Sequence, residues 1–244
     1  MLASLRVTGQ GSAMTSRSRR ASFPRIIARF FISASVAMTL GLAAIIFADR
    51  FLPPDSAPVS LRWPGQETAE RAYVPLGRIS EHLRRAVIAS EDARFCQHHG
   101  VDWGALRQVI DHPGVAGPRR GASTIPMQTA KNLFLWSQRS YLRKAIEIPL
   151  ALLIDLAWPK KRILEVYLNL AQWGEGIFGA EAAAWHYFHK SAAKLDERES
   201  ALLATTLPSP QHRNAARPSP RHAALAARLM ARVRTAEFVA ECVE

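Results

Sequence analysis

Residues 91–100 read Glu91-Asp92-Ala93-Arg94-Phe95-Cys96-Gln97-His98-His99-Gly100. An acidic pair closes an amphipathic helix, and an aromatic, a histidine and a glycine follow within one short turn. Ser80 is placed to cap that helix, with Leu83, Ala86, Val87 and Ser90 on its inner face. A carboxylate at a helix end, beside a turn that glycine permits, can be aimed into a cleft as a general acid or base requires. Taken alone the stretch decides little, because acidic pairs at helix ends are usually solvated. Its weight depends on what surrounds it.

Downstream the chain reads as helix after helix. Asp102 caps a second, with Leu106, Val109 and Ile110 as its apolar face and Pro113-Gly114 as its stop. Thr124 caps a third, with Pro126 tolerated in the first turn. Ser140 starts a long fourth helix through Ala157, interrupted by Pro149, and Pro159 opens a fifth. A glycine-rich loop (Gly174, Gly176, Gly179) leads to a sixth helix, Ala180 to Phe188. Asp196 and Glu199 form a capping box for a seventh, ended by Pro208, and Pro220 begins the last. No alternating strand pattern and no internal repeat interrupt this series.

The N-terminus is different. From Ile26 to Ala48 nearly every residue is apolar or small, and only Arg29 is charged. About twenty such residues span a hydrocarbon core of roughly 30 Å. Arg17, Arg19, Arg20 and Arg25 precede the run, so this end is expected to stay in the cytoplasm and the rest to be exported. A cleaved signal peptide is the competing reading, but the run is long for one and Phe47-Ala48-Asp49-Arg50-Phe51 is a poor cleavage site. These features divide the chain into a basic tail (1–25), a transmembrane helix (26–48), a proline- and glycine-rich linker (49–78) and a helical domain (79–244). Of the net charge of +12, about half lies in the first fifty residues. The remainder suits an anionic membrane surface. A nucleic-acid binder would show basic residues interleaved with aromatics, and none do. Cys96 and Cys242 are free to pair outside the cytoplasm, though nothing in the sequence forces them to.

Two further constellations carry chemistry. Gly121-Ala122-Ser123-Thr124-Ile125-Pro126-Met127-Gln128-Thr129-Ala130-Lys131-Asn132 is a glycine loop running into a helix N-terminus, where free N–H groups and the helix dipole suit an anion. Its glycine spacing is not that of a nucleotide phosphate loop. Arg139, Arg143, Lys144 and Glu147 follow, with Arg143 and Glu147 one helical turn apart. This is either a surface ion pair or a carboxylate flanked by cations and suited to a polyphosphate. The histidines do not make a zinc set: His98 and His99 diverge, and His186 and His189 lack further ligands. Ser191-Ala-Ala-Lys194 matches a penicillin-binding acyl-enzyme motif too short to mean anything alone.

In combination, these motifs resemble the glycosyltransferase domain of peptidoglycan synthases, in the monofunctional biosynthetic form. The first motif of that family falls on Glu91, Asp92, Phe95, His98 and Gly100, and the second on Gly121 through Asn132. The third is Arg143, Lys144 and Glu147; the fourth runs from Ile163 to Lys190, and a fifth lies around Glu199 to Pro208. One departure stands out: many relatives carry glutamine where this chain has Met127.

The resemblance implies a mainly α, lysozyme-like domain with a single N-terminal transmembrane helix. It also implies the activity: polymerisation of lipid II into glycan strands through β-1,4 bonds, with inversion and release of undecaprenyl pyrophosphate. Glu91 is then the base on the acceptor hydroxyl and Glu147 the second catalytic carboxylate, which orients the cations, binds a divalent ion or assists the leaving group. Ser123, Thr124, Gln128, Lys131, Asn132, Arg139 and Arg143 are the substrate-binding set, with Asp92, Phe95, His98 and Gly100 shaping the turn. By analogy with inverting glycosidases the two carboxylates stand about 6.5–9.5 Å apart or more. No cofactor is required, and a divalent cation (Mg or Mn) is an optional addition near Glu147. The implied partners are lipid II, the lipid-linked glycan, the membrane, and proteins of cell-wall synthesis or division; nucleic acid is not among them. The implied location is the inner membrane, with the N-terminus cytoplasmic and the domain periplasmic. The rival readings are a glycan-cleaving lysozyme-like hydrolase or lytic transglycosylase, and an inactive scaffold of the division machinery.

Overall fold

The structure, a computed structural model, describes residues 23–51, 73–111, 122–136, 138, 140–235 and 240–244. Arg139, Gly121, Pro113, Gly114, Arg17, Arg19 and Arg20 lie outside the described residues. The chain divides into two units, 1–44 and 45–244. The first holds most of a 27-residue helix, α1 (Phe23–Asp49), whose stretch Ile27–Ala48 is long and apolar enough to cross a membrane.

The larger unit is almost wholly helical: α2 (Glu81–Glu91), α3 (Trp103–Asp111), α4 (Ile125–Phe134), α5 (Tyr141–Ala157), α6 (Lys160–Leu170), α7 (Ala180–Phe188), α8 (Glu197–Thr206) and α9 (Pro220–Thr235). One group packs α2, α8 and α9 together; another packs α4 between α5 and α6. The last turn of α1 is stitched to the α5–α6 junction, where Trp158 Nε1 donates to Ile46 O at 2.6 Å and Arg50 Nη1 donates to Ala157 O at 3.1 Å.

The caps follow the sequence closely. Asp102, Thr124, Ser140 and Asp196 each accept a first-turn backbone N–H, and the Asp196–Glu199 capping box is complete. Ser80 is the exception. It occupies the N-cap of α2, but its hydroxyl donates to Leu195 O at 2.7 Å, so it ties α2 to a distant segment instead of to its own helix. Leu83, Ala86 and Val87 are buried as expected, and Ile88 and Ala89 join them. On α3 the expectation holds only in part: Leu106 packs against a small cluster of Val101, Met127 and Ala151, whereas Val109 is exposed.

The glycine-rich loop also differs from its sequence reading. It forms a short antiparallel hairpin, β1 (Gln172–Gly174) against β2 (Ile177–Phe178), too brief for an alternating pattern. Gly176 supplies the positive φ of its tight turn.

Gly100 is the glycine that matters most for the site. Its φ is +79°, and a Cβ there would stand 2.6 Å from Ala151 O on α5. The turn after Glu91 therefore seats directly on the α5 backbone. Gly100→Ala should destabilise the domain by at least about 1–3 kcal/mol in urea unfolding, whereas Gly77→Ala, where a Cβ meets open space, should change it far less.

Candidate active site

Glu91 ends α2 half-buried, and its Oε2 accepts a hydrogen bond from Gln128 Nε2 at 3.0 Å. Gln128 is itself oriented, because the buried Tyr167 hydroxyl donates to its Oε1 at 3.2 Å. That fixes which end of the amide meets Glu91. Burial pushes the Glu91 carboxyl above its ordinary value, and neighbouring Asp92 adds to this. The Gln128 bond and the charges of Lys131 and Arg213 pull the other way without winning.

Asp92 is buried, and its position ties the turn to α4. Its Oδ2 accepts the Ile125 N–H at 2.9 Å, the first free donor of α4, and His98 Nε2 stands 2.9 and 3.0 Å from its two oxygens. Phe95 is fully buried beneath the Lys160 ammonium, 4.7 Å from its ring centroid, while Lys160 Nζ donates to His98 O at 2.7 Å. Thr124 completes the junction: its hydroxyl donates to Gly100 O at 2.6 Å and accepts from Met127 N. With its one proton spent on Gly100, Thr124 serves the scaffold and has none left for a ligand.

The cationic side of the cleft comes from α4 and α5. Glu147 is only 2% exposed, and one of its oxygens lies 3.0 Å from Arg143 Nε and the other 2.9 Å from Lys144 Nζ. Lys144 Nζ also donates to Ser123 Oγ at 3.1 Å, which leaves the Ser123 proton available. Arg143 Nη1 donates to Trp136 O at 3.1 Å. Lys131 stands half-buried between the two carboxylates electrostatically. Burial lowers the pKa of its ammonium, Glu147 opposes that, Arg143 and Lys144 reinforce it, and Glu91 opposes it more weakly. Three cations against one buried carboxylate leave this side net positive, the condition for holding an anion. Asn132 is exposed on the next position of α4.

Among the described residues no group of three or more His, Cys, Asp or Glu side chains gathers as a metal site. Glu147, the carboxylate nearest to such a role, already carries Arg143 and Lys144 on its two oxygens. The residues present do not fit a divalent cation there.

Lys144, which the sequence places in the third motif but outside the substrate-binding set, bridges Ser123 and Glu147. Two residues absent from the sequence-based site join it. Tyr167 reads as an ordinary core position of α6. Arg213 lies in the irregular loop after α8, where its charge acts on Glu91 and its guanidinium donates to Thr205 O. No local pattern marks it.

The sequence model of the family described as transglycosylase matches residues 59–234. The chain belongs to the transglycosylase family. Among its curated relatives is the biosynthetic peptidoglycan transglycosylase of Rhodospirillum centenum, 50% identical over 198 residues that cover 80% of this chain and 85% of the relative. Proteins of the same name in Brucella suis (50% identical, 72% of this chain and 78% of the relative) and Rhodopseudomonas palustris strain TIE-1 (47% identical, 83% and 88%) are similarly close.

Within this transglycosylase the Met127 departure is intelligible. Its side chain is fully buried against Val101 and Ala151, so the position serves packing and an apolar residue suits it. Asp92→Ala in the transglycosylase should strand the Ile125 N–H and His98, each buried donor costing about 1–3 kcal/mol. Asp92→Asn, which keeps one acceptor, should cost less; urea unfolding of both variants checks the order.

Proposed function

We propose that this transglycosylase polymerises lipid II into linear glycan strands, with inversion at the donor sugar and release of undecaprenyl pyrophosphate. The observation that carries the reading is the pairing of one half-buried carboxylate with a net-positive pocket beside it. Glu91 is the base: it takes the proton of the acceptor 4-hydroxyl as that oxygen attacks the donor anomeric carbon. The bond from that carbon to the pyrophosphate breaks, and the leaving group departs with the electron pair. Lys131 meets its charge, with Ser123 as a neutral donor and Arg139 as a further cation. Glu147 holds Arg143 and Lys144 in place, and the chemistry as read needs no metal. Gln128 acts on Glu91 by orienting it.

The location follows the same logic. A lipid-borne substrate stays in the bilayer, so an enzyme anchored by α1 meets it on the same surface. Exposed Trp103 and Val109 on α3, and Leu142 and Leu156 on α5, suit contact with lipid. The N-terminal arginines favour a cytoplasmic N-terminus. The Cys96–Cys242 disulfide fits a periplasmic domain. Proteins of cell-wall synthesis or division are the partners this location would bring.

Full-length protein in detergent with labelled lipid II tests the reading. Long glycan strands should form, at the same rate with or without a chelator, and Glu91→Gln should lower the rate by about 10²–10⁴-fold with unchanged circular dichroism. Release of fragments from sacculi without polymerisation would instead support a hydrolase, and activity in neither assay an inert scaffold.

A further inference from the structure

The catalytic turn is gripped by Arg232 of α9 and by residues 240–244. Arg232 on α9 donates from Nη2 to Ala89 O, in the last turn of α2 just before Glu91. Just after the acidic pair, Cys96 is bonded to Cys242, with Cα atoms 5.5 Å apart and 146 residues between them. The Cys242 N–H is itself 3.3 Å from Cys96 Sγ.

The tail that carries Cys242 is not a loose end. Ala240 and Val243 are each 1% exposed. Val243 O accepts from Arg84 Nη1 at 3.3 Å, Glu244 O accepts from Lys161 Nζ, and the Glu244 carboxylate lies 3.7 Å from Arg85 Nε. The tail thus rests on α2 and α6 at once, the two helices that supply Glu91 and Tyr167. Between Asp92 and Gly100 the chain makes only turns and bends. A segment with so little regular hydrogen bonding opens readily unless its ends are held.

We propose that residues 240–244, with Arg232, form a clasp that positions the catalytic turn, and that the Cys96–Cys242 bond sets the clasp after export. Cys96, Cys242 and Arg232 are positioning residues: each acts through the placement of Glu91. Clasp formation is a two-electron exchange. The two thiols lose two protons and two electrons to a disulfide oxidant, which becomes a dithiol as the sulfur–sulfur bond forms. A chain still reduced carries the full set of site residues on a turn that keeps its contacts with Arg232, Asp92, Thr124, Lys160 and α5 but lacks the covalent link to the tail.

An open turn also changes the setting of the base. Glu91 faces Asp92 from its own segment, Lys131 and Gln128 from α4, Tyr167 from α6 and Arg213 from the loop after α8. Loosening the turn admits water to the carboxyl and relieves the desolvation that holds its pKa up. The acid limb of the pH profile then falls towards that of an ordinary carboxylate while the maximal rate drops.

The inference rests on Glu91 being the base of lipid II polymerisation, and the test separates the two. Full-length oxidised protein is assayed with labelled lipid II beside Cys242→Ser, Arg232→Met, Arg232→Lys and wild type treated with dithiothreitol. Circular dichroism confirms that each is folded at the assay temperature. The clasp predicts that kcat falls by about ten- to a hundredfold with KM little changed, and that the acid limb moves to lower pH. Dithiothreitol should affect wild type but not Cys242→Ser, reoxidation by oxidised glutathione should restore the rate, and Arg232→Lys should retain more activity than Arg232→Met. If reduced protein and Cys242→Ser melt earlier but keep the wild-type kcat and acid limb, the disulfide is a staple only and the proposal is overturned. Complete unfolding on reduction at every temperature overturns it too. Failure of oxidised wild type to polymerise lipid II removes the underlying function instead.

Discussion

The buried Asp92 carboxylate accepts the first free N–H of α4 and pairs with His98, and this junction sets where both sides of the cleft stand. An aspartate at the end of one helix caps the start of another, so the turn carrying Glu91 and the helix carrying Gln128 and Lys131 are one mechanical piece. Thr124 on Gly100 O makes a second stitch, and Gly100 seats the far end of the turn on α5. Glu147 stands on that same α5. Glu91 and the cationic cluster therefore owe their mutual placement to a few buried hydrogen bonds and one glycine.

Electrostatics run against stability at this place and in favour of chemistry. Burying Glu91 and Lys131 shifts each toward its neutral form, the carboxyl upward and the ammonium downward. A structural ion pair would shift them the other way. Glu147 is treated differently, with both oxygens matched by cations, so its burial is compensated. One carboxylate is poised and the other satisfied, which fits a proton acceptor beside a fixed holder of cations.

Much of this was legible in the sequence because it is local. Caps at Asp102, Thr124, Ser140 and Asp196 declare themselves by residue type and spacing, and so do the Arg143–Glu147 turn and the membrane-length run. What stayed hidden is non-local. Ser80 looks like a cap but bonds to Leu195, and Tyr167 looks like core but orients Gln128. Arg213 and the pairing of Cys96 with Cys242 depend on how distant segments fold back, which no window of sequence reports. The hairpin at Gln172–Phe178 is simply too short to show a period of two.

The most direct measurement is the pH dependence of kcat/KM for lipid II polymerisation by the full-length protein. In the proposed mechanism Glu91 acts as its carboxylate, so raising its pKa moves the acid limb above the ordinary value of 4.5. In the same mechanism Lys131 acts as its ammonium, so lowering its pKa brings the basic limb below 10.5. The account predicts a bell narrowed from both sides, whose basic limb moves upward in Lys131→Arg. A rate that holds level down to pH 4.5, or a basic limb that Lys131→Arg leaves in place, would contradict it.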